Sequence, residues 1–142
     1  MKLLLGLFTT VILLGACGGQ GGEAEPTPSP QAAAALALVV DDPDAVGGLY
    51  IHWVVTDIPP DSTGVTSGKP PSGARVTANS GGDASYLGPC PPAGTGAHHY
   101  RFTLYALPAA LKLAADTPAK QAVTTIERQA TTQTRLVGTY RG

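Results

Sequence analysis

Two imidazoles, a phenol and a carboxylate carry the polar chemistry that this sequence can concentrate in one place. His98 and Tyr100 stand two apart in GPCPPAGTGAHHYRFTLY (residues 88–105). On an extended chain both point to the same side, and Phe102 and Leu104 continue that side. His99, Arg101, Thr103 and Tyr105 take the other. Pro89, Pro91 and Pro92 stiffen the segment just before the histidines, and Gly94 and Gly96 let it turn. A rigid loop beside a strand carrying imidazole and phenol groups makes a wall for a small polar ligand. His52 in a second extended run and Asp42 in a turn are the further candidates. A phosphate-like anion wants directed donors, which imidazoles, a phenol and loop N–H groups supply. A histidine that gains a proton strengthens such a site, so tighter binding toward acid pH is expected. An aspartate beside an anion would accept from an imidazole and fix its tautomer, or meet an ammonium group on the ligand.

Strands must position these groups. Residues 36–40 are a continuous apolar run bounded by DDPD (41–44), the pattern of a strand buried on both faces and closed by turn residues. Residues 49–58, LYIHWVVTDI, are rich in β-branched and aromatic residues and predict a second strand. Alternation places Tyr50, His52, Val54 and Thr56 on one of its faces and Leu49, Ile51, Trp53 and Val55 on the other. Residues 59–82 are polar and rich in Gly, Ser and Pro, with a weak extended piece at 74–77. Residues 98–107 predict a third strong strand, and 135–140 a closing one. Helix is expected at 109–114 and 118–133, with Thr117 as a cap, Pro118 at the first helical position and Val123, Ile126 and Ala130 as the buried stripe.

The same residues admit other chemistry. Cys90 could act as a nucleophile with His98 as base and Asp42 as orienter, but a single cysteine is more often a small buried hydrophobe. Asp42, His52 and His98 could in principle hold a metal, although no His/Cys spacing typical of metal ligands is present beyond the adjacent histidines. Gly94-Thr95-Gly96 lacks the lysine and the strand-to-helix setting of a nucleotide loop.

The segment GPCPPAGTGAHHYRFTLYAL resembles the signature of the phosphatidylethanolamine-binding protein (PEBP) family, in its bacterial Raf-kinase-inhibitor-like branch. ALALVVDDPDA followed by IHWVVTDIP, and the ending LVGTYRG, agree in order and spacing. The resemblance implies a mainly β fold: a large antiparallel or mixed central sheet packed on a smaller sheet, with peripheral helices toward the C-terminus. Family members carry several strands before the block matching ALALVVDDPDA, so N-terminal strands are expected to be missing here. It further implies that Asp42, His52, Pro91, Pro92, His98 and Tyr100 line a small pocket for phosphate-like groups, including a phospholipid head group. Asp44 and Trp53 match neighbouring family positions and are expected as supporting wall. His99 stands where the family usually has arginine, and Val46 where it has proline.

Composition sets the class. The chain has 142 residues with 13% charged residues, 43% hydrophobic residues and a net charge of −1, which suits one loop-rich β domain. The absence of a basic run argues against a nucleic-acid partner. At the start, Lys2 precedes the apolar run 3–14, which ends in Leu14-Gly15-Ala16-Cys17. That is the pattern of a secretory leader, and it resembles a bacterial lipobox with Cys17 as the lipidated residue. The expected organisation is a leader at 1–16, a Gly/Pro-rich tether at 17–34 and a PEBP-like domain at 35–142. The functional expectation is a non-catalytic, lipid-anchored, extracytoplasmic protein that binds a small anion or phospholipid head group, with no cofactor and no metal. The alternative is an inhibitor or interaction module acting on an exported enzyme such as a protease.

Overall fold

The computed structural model describes residues 33–142. Five strands and one helix run in the order β1 (Ala35–Asp42), β2 (Tyr50–Ile58), β3 (Arg75–Thr77), β4 (Ala97–Leu107), α1 (Ala119–Gln129) and β5 (Thr132–Arg141). The strands form a single antiparallel sheet in the order β3-β2-β1-β4-β5. The most continuously apolar strand, β1, therefore lies in the middle and is buried along its whole length.

Each face of the sheet carries a core. Ala35, Ala37 and Val39 of β1 meet Ile51 and Val54 of β2, Tyr105 and Leu107 of β4, and the Ala119, Ala122 and Ile126 stripe of α1. On the other face Leu36, Leu38 and Val40 pack with Trp53, Val55, Ile58 and Ala106, and with half-buried Phe102 and Leu104. The smaller sheet expected to pack on the large one has no counterpart among the described residues. The neighbouring segment 59–74 contains Pro59, Pro60, Pro70 and Pro71, which cannot donate to a ladder, and it makes only the isolated bridge Thr66–Lys69.

Two register shifts shape β2. From Val40 to Asp41 the partner on β2 moves from Trp53 to Ile51, so His52 is the extra residue of a β-bulge. Ile51 and Val54 consequently share the helix-side core, whereas the ring of His52 meets Tyr50 and Tyr100. The strict alternation read from the sequence, with His52 and Val54 on one face, fails here for that reason. The second shift lies between Leu36 and Leu38, whose partners are Ile58 and Val55. It contains Asp57, with φ of 56°, a left-handed backbone that aspartate tolerates better than most side chains.

Asp57 explains why residues 109–114 are not helical, against expectation. Its carboxylate accepts from the backbone N–H groups of Leu111 (2.7 Å) and Lys112 (3.0 Å), and Lys112 itself has φ of 52°. Those amides are held by a neighbouring strand end instead of a helical ladder. The one helix among the described residues is shorter than read. Its N-cap is Pro118, with no side-chain cap from Thr117, and it stops at Gln129, because Thr131 already bonds to the Ala106 carbonyl and starts β5. Ala119, Ala122 and Ile126 form its buried stripe, with Val123 and Ala130 packed at the margin.

Candidate functional site

The carboxyl end of β1, the start of β2 and the start of β4 meet at one end of the sheet. There the loop 87–96 folds over them and borders an open cavity of about 290 Å³. Asp42, His52, Pro91, Pro92, His98 and Tyr100 all line it. Tyr50, Leu87, Cys90, Ala45 and Val46 complete its walls. Two residues expected nearby are elsewhere. Trp53 is in the core, 5.2 Å from the Tyr86 ring, and Asp44 is on the surface with His99. Cys17 lies outside the described residues.

His98 and Asp42 form a buried pair, with Nδ1 2.7 Å from the Asp42 Oδ2 and both side chains 3% exposed. Asp42 uses its other oxygen to accept from the Asp44 N–H at 2.8 Å, which shapes the turn after β1. On the far side of the ring, Nε2 lies 2.9 Å from the Thr95 hydroxyl, which itself lies 2.7 Å from the Pro92 carbonyl. A hydroxyl has one proton. If it goes to Pro92 and Asp42 is ionised, only an imidazolium satisfies all three contacts. If it goes to Nε2, the ring is neutral. In both arrangements the two ring nitrogens of His98 are occupied, and neither is directed at the Cys90 thiol. Cys90 itself is exposed.

His52 is arranged differently. Its Nδ1–H donates to the Leu87 carbonyl at 2.9 Å, and its own carbonyl accepts from the Leu87 N–H at 3.1 Å. The bulge thus frees His52 from the sheet ladder and ties it to the loop instead. Nε2 has no partner among the described residues. Since His52 is only 6% exposed and lines the cavity, this nitrogen is the ring atom left to meet a ligand. The Tyr100 ring packs 5.3 Å from the His52 ring at an edge-on angle of 67°.

Burial, then the Asp42 carboxylate beside it, pushes the Tyr100 phenol above its ordinary value. The phenol therefore remains a donor through the neutral range. Because the folded value is raised, its stabilising contribution is complete below the ordinary phenol pKa of about 10 and is lost as pH rises through the folded value. Tyr105 is also raised, by burial and then by Glu127. An ultraviolet titration of the phenols should accordingly show two late-ionising groups, and Tyr100→Phe should leave one. An unchanged titration would contradict this placement.

Away from the cavity, Asp44 accepts from His99 Nδ1 (2.7 Å) and from the His99 N–H (2.9 Å), which hold its carboxyl below the usual range. Arg101 clamps Asp41 on the helix side of the sheet through Nε and Nη2, and this contact raises the guanidinium pKa. His99, expected to face away from His98, does so. Among the described residues, no three His, Cys, Asp or Glu side chains converge as metal ligands. The sequence did not single out Thr95 or Leu87 as partners of the histidines. Their parts depend on how the loop folds back, which residue spacing does not reveal.

An antiparallel sheet with one flanking helix defines a β-rich protein with a polar His/Asp/Tyr cavity at one end of its sheet. The phosphatidylethanolamine-binding protein profile matches residues 19–141, and the chain belongs to that family. A Mycobacterium tuberculosis protein carrying the name lipoprotein LppC is 59% identical over 107 residues, covering 75% of this chain and 53% of that protein. A UPF0098 protein of Mycobacterium bovis is 48% identical over 123 residues, covering 87% of this chain and 61% of that protein. The chain thus spans little more than half the length of these relatives. Among solved structures, Escherichia coli YbcL, described as a member of the mammalian PEBP family, superposes with a TM-score of 0.72 at 28% identity, covering 82% of this chain and 75% of YbcL.

Proposed function

We propose that this chain is a non-catalytic binding protein that takes a small phosphate-like anion or a phospholipid head group into the cavity at the end of β1, β2 and β4. The observation that carries this reading is the division of labour between the histidines. His98 is fully engaged with Asp42 and Thr95, while His52 keeps Nε2 without a partner among the described residues in the cavity that Tyr100 also lines. In this reading a phosphate oxygen is held by His52 and Tyr100. The neutral Nε2 accepts from a P–OH, and the protonated one donates to P–O⁻. Pro91 and Pro92 hold the loop over the site, and Leu87 fixes the His52 ring. The family name and the lipoprotein relative support the same ligand class and a membrane setting.

We assign Cys17 as the lipidated residue, with 1–16 as leader and 17–34 as tether, placing the domain outside the cytoplasm. A Cys17→Ala chain should then leave the membrane fraction, and its retention there would overturn this assignment. For the cavity, calorimetric titration of the full chain with inorganic phosphate and with phosphoethanolamine should give saturable binding. His52→Ala should weaken that binding by about 10- to 100-fold, the loss expected for one hydrogen bond to a charged group. Binding that survives His52→Ala and Tyr100→Phe unchanged would remove the cavity from the function.

A further inference from the structure

Cys90 stands at the rim of the cavity: it lines the same walls as His52 and Tyr100, yet it is exposed. Its place is fixed by its neighbours. Pro89, Pro91 and Pro92 stiffen the chain on both sides of it. Pro91 is buried, and Gly142 lies against the Pro91 carbonyl so closely that a side chain at 142 would not fit. The thiol is therefore held in one position instead of sweeping with a loose loop. Tyr100, raised first by burial and then by Asp42, is raised further by charge on Cys90, so the sulfur is within electrostatic reach of the phenol. A lone thiol does not by itself define a site, but the same cavity offers an anchor. His52 is 6% exposed, its Nδ1–H is committed to the Leu87 carbonyl, and Nε2 has no partner among the described residues. Asp42, the carboxylate that lines the cavity, is already engaged with His98 and the Asp44 N–H.

We infer that Cys90 is a thiolation site for small disulfides that carry a carboxylate, with the carboxylate held by His52 and the adduct filling the cavity. The inference shares side chains with the anion-binding reading but takes a different ligand, so the two can fail separately. The Cys90 thiolate attacks one sulfur of the disulfide. That S–S bond breaks, a new one forms to Cys90, and the other half leaves as a thiolate that takes up the proton Cys90 gave to solvent. Cys90 is oxidised and the small disulfide is reduced, with no further reactant. His52, drawn to its cationic form by the opposite charge, donates Nε2–H to the carboxylate. A disulfide ending in an ammonium group has the same sulfur chemistry but no acceptor for that N–H, so the cavity gives it no advantage. Small disulfides persist in oxidising surroundings outside the cytoplasm, the setting assigned above from Cys17.

The test treats the full chain with dithiodipropionate, whose ends are carboxylates, and with cystamine, whose ends are ammonium groups. The rate of adduct formation is followed at the Cys90 peptide by mass spectrometry, in the folded chain and in urea. The ratio of the dithiodipropionate rate to the cystamine rate should be at least about 10-fold higher in the folded chain, the factor expected for one hydrogen bond to a charged group. Equal ratios in the folded and denatured chain overturn the inference and leave Cys90 an exposed thiol only. This comparison needs no substitution, so it decides the matter even if a variant loosens the loop. His52→Ala should return the ratio to its denatured value with the cystamine rate unchanged, and a preference that survives His52→Ala overturns the role of that residue. The dithiodipropionate adduct should lose affinity for inorganic phosphate by at least about 10-fold and regain it with dithiothreitol. An adduct that binds phosphate like the unmodified chain overturns the placement in the cavity. If the unmodified chain takes no phosphate while the carboxylate preference holds, the anion-binding reading fails and the thiolation site stands.

Discussion

Replacing Asp42 by alanine should lower the unfolding free energy by about 1–3 kcal/mol, the cost of leaving the buried His98 Nδ1 without its hydrogen-bond partner. A single domain is stable by only about 5–15 kcal/mol, so this loss is a sizeable fraction of the total. Both side chains of the pair are 3% exposed. Asp42 also holds the N–H of Asp44, so the alanine loosens the turn after β1. Two further variants separate these causes. Asp42→Asn keeps an oxygen for Asp44 but removes the charge beside His98, and should fall between wild type and alanine. The double variant Asp42→Leu, His98→Leu removes both buried polar groups, and should be more stable than Asp42→Ala alone. Urea denaturation monitored by Trp53 fluorescence measures all three. A loss under about 1 kcal/mol in Asp42→Ala would mean the pair is not desolvated as described.

Ile126→Ala should cost about 2–5 kcal/mol, because Ile126 is fully buried between α1 and the sheet and its removal leaves a cavity. The effect should also be localised. An 11-residue helix is marginal in water by itself, and α1 owes its stability to the stripe of Ala119, Ala122 and Ile126. Amide exchange should therefore accelerate across the whole helix in this variant, while β1 and β2 amides change only as far as global stability falls. Val123→Ala, at the margin of the same cluster, should cost less. Equal exchange behaviour in the two variants would show that the stripe is not what docks the helix.

Much of this architecture could be read from residue order. The continuous apolar run of β1 and the β-branched content of β2 and β4 are strong signals, and all three strands occur where expected, within a residue or two. The family resemblance supplied the set of pocket residues, and they do surround one cavity, because Asp42, His52 and Tyr100 sit at strand ends that a sheet brings together. The misses have physical causes. The helix was read on to residue 133, but Thr131, Thr132 and Thr134 prefer the extended chain, and an Ala106 carbonyl was available to pair with. Residues 109–114 have helical composition, yet the Asp57 carboxylate captures their amides from 54 residues away in sequence. Val54 leaves the face that strict alternation would give it with His52, since no periodicity announces an inserted residue. Thr95 and Leu87 act through the path of a loop, and nothing in their identity marks them as partners of the histidines.

The bulge at position 52 separates two kinds of constraint that usually fall on the same residue. A side chain in a regular central strand answers to its partners across the ladder, and changing it disturbs the register. His52 has no ladder partner; its backbone and ring answer to Leu87. This cavity-lining side chain can therefore be exchanged while Ile51 and Trp53 keep the sheet in place. Ligand preference in such a scaffold is free to drift through this one site, at little risk to folding, and a laboratory selection for new specificity would do well to begin there.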